Sequence, residues 1–132
     1  MKKLLAAVAG ILMFAACSSK ADSFVGKEYK MVNAPADAAI TIGFDGSESR
    51  YFGKSAVNRY FGSYTIDGNT LEFGPAGVTM MAGPEPLMQA ESEYLQDLST
   101  VNSYKLEGKK LTLINSDGKE LVFEETGPIP AE

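Results

Sequence analysis

The chain has 132 residues, 45% of them hydrophobic, with 12 lysines and arginines against 17 acids, no histidine and a formal net charge of −5. An acidic chain is not drawn to nucleic acid, whose binding rests on cations meeting phosphates. Without histidine the commonest general base and metal ligand near neutral pH is missing, and with it go Ser-His-Asp and Cys-His catalysis and Cys/His zinc sites.

In chain order, Met1-Lys2-Lys3 is a short cationic head, Leu4 to Phe14 is an almost wholly apolar run, and Ala15-Ala16-Cys17 closes it. That is the layout of a secretory signal over residues 1–16. The run is shorter than the roughly 20 residues a helix needs to cross a bilayer. Phe14-Ala15-Ala16-Cys17 resembles the bacterial lipobox, with Phe14 where Leu is usual, in which the cysteine is acylated and becomes the first residue. Cys17 is the only cysteine, so an exported domain holds no partner for it. Lipidation at Cys17 is the expectation, and the alternative is an ordinary signal cleaved near Ala16 that leaves a free thiol. Loss of the leader removes Lys2 and Lys3 and takes the formal charge from −5 to −7. Membrane attachment would then rest on acyl chains and not on charge. Ser18, not Asp, follows the cysteine, which by enteric sorting rules implies an outer-membrane lipoprotein of the bacterial cell envelope, facing the periplasm.

Residues 17–23 are small and polar enough to serve as a tether, and residues 24–125 read as one domain. Candidate strands run over 27–32, 39–44, 49–53, 59–66 and 70–73. Asp45-Gly46, Asp67-Gly68-Asn69, Glu107-Gly108-Lys109 and Asp117-Gly118-Lys119 supply hairpin turns. Tyr104 and Leu106, then Leu111 and Leu113, then Leu121 and Phe123 alternate with polar residues at the period of half-buried antiparallel strands. Between the two strand groups, Leu87, Ala90, Glu91, Tyr94, Leu95 and Leu98 fall on one helical face, with Pro84 and Pro86 where the first turn begins. The spacing predicts one helix packed on a curved antiparallel sheet through Leu87, Tyr94, Leu95 and Leu98. Residues 126–132, with Pro128 and Pro130, read as a mobile tail.

Asn58-Arg59-Tyr60-Phe61-Gly62-Ser63-Tyr64, then Gly68 to Phe73, Thr79-Met80-Met81-Ala82, Glu91 to Leu95 and Tyr104 to Leu113 together resemble the META domain family, whose bacterial members include heat-inducible lipoproteins of the HslJ type. The resemblance spans residues 24–125 and puts Asn58, Gly62, Tyr64, Thr79, Met81 and Ala82 at motif positions. It implies an α+β, mainly β fold: a small antiparallel half-barrel or roll of about seven or eight strands packed by one α-helix. The family commonly has one cysteine directly before the Asn and another after Met-Ala, where this chain has Val57 and Gly83. If those cysteines pair in the family, positions 57 and 83 are neighbours here and Val57 packing replaces the bridge.

The residues themselves offer little chemistry. Glu91 and Glu93 diverge on a helix and Glu124 and Glu125 diverge on a strand, so neither pair makes an acid/base site. Asp45 to Glu48 and Asn115 to Glu120 suit Asx-Gly turns better than calcium loops, and no metal or cofactor is expected. Tyr51, Tyr60 and Tyr64, rimmed by Arg50 and Arg59, are candidates for an exposed binding groove, or else a roof over the core. Met80 and Met81 read first as core gap-fillers and second as adaptable ligand contacts, and Asn58 as a structural residue capping a bend. The leading expectation is a non-catalytic envelope lipoprotein, membrane-bound through its lipidated N-terminus, that supports heat or envelope-stress tolerance by binding a protein or another envelope component. The alternative is a small-molecule or lipid-binding module with a cavity lined by Met80, Met81, Leu87 and Leu95. A histidine-free enzyme is the third reading.

Overall fold

Short alternating segments separated by glycine turns leave the chain few options other than hairpins. The computed structural model describes residues 24–129. The expected leader, Cys17 and the tether lie outside the described residues. The strands are β1 (Lys27–Met31), β2 (Thr41–Asp45), β3 (Arg50–Lys54), β4 (Arg59–Asp67), β5 (Thr70–Phe73), β6 (Gly77–Val78), β7 (Val101–Glu107), β8 (Lys110–Asn115) and β9 (Glu120–Pro128), with one helix, α1 (Glu85–Ser99), before β7. All pair antiparallel in the order β3-β2-β1-β9-β8-β7-β5-β4, and β3 also pairs with β4. Eight strands therefore close on themselves, and β6 adds to the flank of β4.

The expected class, α+β and mainly β, is what forms. The sheet goes one step beyond a half-barrel and closes, because β4 is nine residues long and pairs with both β3 and β5 along its length. Its first part pairs with β3 from Arg59 to Ser63, and its second with β5 from Tyr64 to Asp67. Closure removes the unpaired edges an open sheet would present. Gly53 sits where the wall bends: a Cβ there would lie 2.1 Å from the carbonyl oxygen of Thr41.

The C-terminal boundary differs from the sequence reading. Residues 126–128 belong to β9, with Glu28 opposite Gly127 and Lys27 opposite Pro128, so they are a strand end and not a tail. The register shifts between Glu28 and Tyr29, Gly127 takes a φ of 149°, and the Thr126 hydroxyl donates to the Glu28 carbonyl at 3.1 Å. A bulge of this kind lets the strand continue past a glycine and a proline that otherwise mark its end.

Aromatic rings fill the interior. Phe24 meets Phe44 and Tyr104 at centroid distances of 4.8 and 5.0 Å, while Tyr94 of α1 meets Tyr60 and Phe123 at 5.6 and 6.4 Å. Phe24 also contacts Tyr64, four residues along β4 from Tyr60, so the N-terminal segment and the helix close opposite ends of the barrel. The helical stripe buries Ala90, Glu91, Tyr94 and Leu98, with Leu87 and Leu95 half-buried beside them. Its solvent side is tied to the β8–β9 turn by Lys119, whose Nζ lies 3.0 Å from Glu93 and 2.6 Å from Asp97. No helix among the described residues is long and apolar enough to cross a membrane.

Candidate functional site

The turn between β3 and β4 is held from within by a carboxylate. Glu91 of α1 is 5% exposed, and no cation pairs with it among the described residues. Its Oε1 accepts from the Asn58 N–H at 2.7 Å, the Ser55 hydroxyl at 2.9 Å and the Val57 N–H at 3.0 Å. Its Oε2 accepts from Asn58 Nδ2 at 2.8 Å. The Asn58 carbonyl already accepts the Ser55 N–H, so the Ser55 hydroxyl proton goes to the charged acceptor, the stronger bond. Burial alone would raise the Glu91 pKa, but the bonds from Asn58, Ser55 and Val57 outweigh it and hold the group below the ordinary carboxylate value. Within this turn Ala56 has a φ of 104°, a conformation an alanine keeps only when its surroundings over-determine it.

Asn58 passes the restraint on to a third segment. Its Nδ2 donates to the Met81 carbonyl at 3.0 Å, and its Oδ1 accepts from the Met81 N–H at 2.6 Å and the Thr79 hydroxyl at 2.9 Å. The amide thus pairs with Met81 as a neighbouring strand would. Asn58, expected to cap a bend, instead joins the helix to the chain from Thr79 to Met81, and Glu91 takes the N–H groups of the turn.

The candidate tyrosines do not line a groove. Tyr51, Tyr60 and Tyr64 are buried in the core, because β4 turns Tyr60, Gly62 and Tyr64 inward and leaves Phe61 outside. The hydroxyls of Tyr51 and Tyr60 are satisfied internally. Tyr60 donates to the Thr41 carbonyl at 2.7 Å, leaving Tyr94 to donate to Tyr60 at 2.6 Å, and Tyr51 donates to the Gly74 carbonyl at 2.8 Å. Tyr29 is the contrast, since its buried hydroxyl has no partner among the described residues, and burial together with Glu125 pushes its pKa up to about 12. Tyr60→Phe should therefore cost about 2 kcal/mol by stranding two buried partners. Tyr29→Phe should leave stability unchanged or raise it by up to about 1 kcal/mol. Urea midpoints of the two variants check both values.

Met80 and Met81, expected in the core, stand out in solvent at 95% and 57% exposure. With Val78, Met88 and Ala82 they line a shallow concavity of about 310 Å³ over Asn58 and Glu91. Leu87 and Leu95, named with them as possible cavity walls, pack against the core instead. Arg59 is exposed on the barrel's outer face, directly across from Lys54. Among the described residues no group of three His, Cys, Asp or Glu is placed to hold a metal ion. Asp45 Oδ1 binds Ser47, and Asn115 Oδ1 binds the N–H groups of Asp117 and Lys119, so both calcium-like stretches are Asx turns. Sequence reasoning missed Glu91 as the hub, although it stood as a charge within the apolar helical stripe.

The sequence profile of the META domain matches residues 20–128. The chain belongs to the META domain family. In this META domain a Cβ built on Gly83 would lie 3.6 Å from the Val57 Cβ, so the two positions inferred from the family's cysteines are neighbours. Among solved structures, a protein from Burkholderia xenovorans studied by NMR matches with a TM-score of 0.67 at 24% identity, over 80% of this chain and 85% of that one. A DUF4847 family protein from Bacteroides vulgatus, solved by crystallography, matches with a TM-score of 0.59 at 13% identity, over 79% of this chain and 96% of that one. At these identities the likeness establishes the shared fold alone. A search of the curated proteins returns no significant match.

Proposed function

We propose that this META domain is a non-catalytic binding module, held at the bacterial cell envelope by an acylated Cys17, that supports heat or envelope-stress tolerance by engaging a protein. The Met80–Met81 segment carries the reading. Two long, pliable apolar side chains stand in water on a backbone that Asn58 fixes through both the N–H and the carbonyl of Met81. Exposed apolar groups on a rigid base mark a contact surface, and methionine adapts to the shape of what it meets. A ligand carried inside the barrel has less support, because the rings of Phe24, Tyr29, Phe44, Tyr60, Tyr94 and Phe123 occupy that space. Outer-membrane delivery follows the residue after Cys17 and belongs to the same proposal.

Deleting the gene should sensitise the parent strain to heat or envelope-damaging agents, and the wild-type protein should restore tolerance. Cys17→Ala should restore it poorly. Met80→Ser with Met81→Ser should also fail while the purified domain melts as the wild type does. Full rescue by the double variant would remove the Met surface from the proposal. Multiple-turnover chemistry abolished by a single serine, lysine or carboxylate substitution would overturn the non-catalytic reading.

A further inference from the structure

The outer face of β2, β3 and β4 carries two adjacent cross-strand rows of opposite character. One row reads Glu28, Gly43, Phe52, Phe61 and Gly77 across five strands, each opposite the next. A Cβ on Gly43 would lie 2.7 Å from the Phe52 ring, and one on Gly77 would lie 2.5 Å from the Phe61 ring. Both rings therefore lie down on bare backbone and form a low aromatic platform, which side chains at those two glycines would lift. The other row holds Lys54 directly opposite Arg59. Like charges facing each other across an antiparallel pair destabilise it. Neither side chain has an ion pair within 4 Å or a hydrogen bond among the described residues, although the chain has 17 acids to offer against 12 bases. Among the described residues no carboxylate comes within 4 Å of either to offset this repulsion. The two rows meet in a concavity of about 430 Å³ lined by Phe52, Gly53, Lys54, Arg59 and Phe61, with Glu28 also on its wall.

We propose that this concavity binds an anionic amphiphile, with Lys54 and Arg59 taking its phosphate or carboxylate and Phe52 and Phe61 its apolar body. A guanidinium and an ammonium side by side give charge-assisted bonds to one anionic group. Glu28, in the aromatic row, repels the anion from that end, which fixes its orientation, and accepts from a hydroxyl on the same headgroup. The site is separate from the Met80–Met81 surface and stands or falls without it. A lipid headgroup in a bilayer and a free amphiphile present the same chemistry.

The test uses the protein carrying Cys17→Ser and dihexanoyl phosphatidylglycerol below its micellar concentration, followed by NMR. The amide signals of Gly53, Lys54, Arg59 and Phe61 should shift saturably. Dihexanoyl phosphatidylcholine, whose choline cation offsets the phosphate charge and replaces the headgroup hydroxyls, and inorganic phosphate, which has no apolar body, should each bind about tenfold more weakly. Lys54→Gln with Arg59→Gln should weaken phosphatidylglycerol binding by about tenfold, and Phe61→Ser by a similar factor. Lys105→Gln with Lys109→Gln, the same charge change on the exposed β7–β8 hairpin, should leave affinity unchanged. Sedimentation with phosphatidylglycerol vesicles then separates the sources. Co-sedimentation lost in the Lys54/Arg59 variant assigns the site to bilayer headgroups, and binding of the soluble lipid alone assigns it to free amphiphiles. Shifts that centre elsewhere, equal affinity for inorganic phosphate, or equal loss in the Lys105/Lys109 control would overturn the proposal.

Discussion

Glu91→Ala is expected to destabilise the domain by about 3–5 kcal/mol, lowering its melting temperature by roughly 15 °C. The truncation strands the N–H groups of Val57 and Asn58 and one hydrogen of Asn58 Nδ2 in a buried site, while the Ser55 hydroxyl can turn to the Asn58 carbonyl at 3.0 Å. Ala56 would also lose the contacts that hold its φ of 104°. Glu91→Gln should cost less, about 1–2 kcal/mol, because its Oε1 still accepts from the turn. Its Nε2 then faces Asn58 Nδ2, donor against donor, and Asn58 cannot flip while Thr79 and Met81 hold Oδ1. The pH dependence follows from the lowered pKa. A carboxylate depressed in the folded state stabilises fully above its unfolded pKa, and that stability is lost as pH falls through the folded value. Wild type should therefore exceed Glu91→Gln in urea midpoint near pH 7, and the gap should close on acidification below the ordinary value of 4.5. A gap constant from neutral pH to about pH 3 would mean that Glu91 is not ionised in the fold.

Val57→Cys with Gly83→Cys, in a protein carrying Cys17→Ser, should form a disulfide and stabilise the oxidised domain by about 3–4 kcal/mol over its reduced form. The 3.6 Å between the Val57 Cβ and a Cβ at Gly83 lies within the separation a disulfide spans. The gain comes mainly from restricting the unfolded chain between the two positions. Thermal melts with and without reductant measure it, and thiol titration confirms the bridge. Two free thiols after mild oxidation would show that the segment carrying Gly83 is not held against Val57. In the protein as it stands, the hydrogen bonds from Asn58 to Met81 do the work of such a staple by linking the same two segments.

Much of this was legible along the chain. The glycine turns and the period-2 runs located the hairpins, and the helical stripe from Leu87 to Leu98 placed α1, Glu91 included. The divergence of Glu91 and Glu93 also holds: one is buried under the β3–β4 turn and the other pairs with Lys119 at the surface. The alternation in β4 placed Tyr60 and Tyr64 on one face and Phe61 on the other, yet it could not say which face was inside. A tyrosine costs least in a core when its hydroxyl finds an acceptor, and the acceptors for Tyr60 and Tyr51, the carbonyls of Thr41 and Gly74, come from other segments of the chain. The exposure of Met80 and Met81 has a similar origin, because Asn58, more than 20 residues earlier, takes up the polar backbone of Met81 and its methionine side chain is left outside.

The sequence by itself determined which segments pair locally, where the helix lies and which family the domain belongs to, because short-range periodicity and turn chemistry act between near neighbours. Only the tertiary structure decided that the sheet closes, that Glu91 is the hub, and that Lys54 and Arg59 face one another unpaired beside two phenylalanines. Those outcomes rest on register and on contacts between residues 30 or more positions apart, or on which acids fail to reach a cation. Such terms depend on how the curved sheet brings distant strands together.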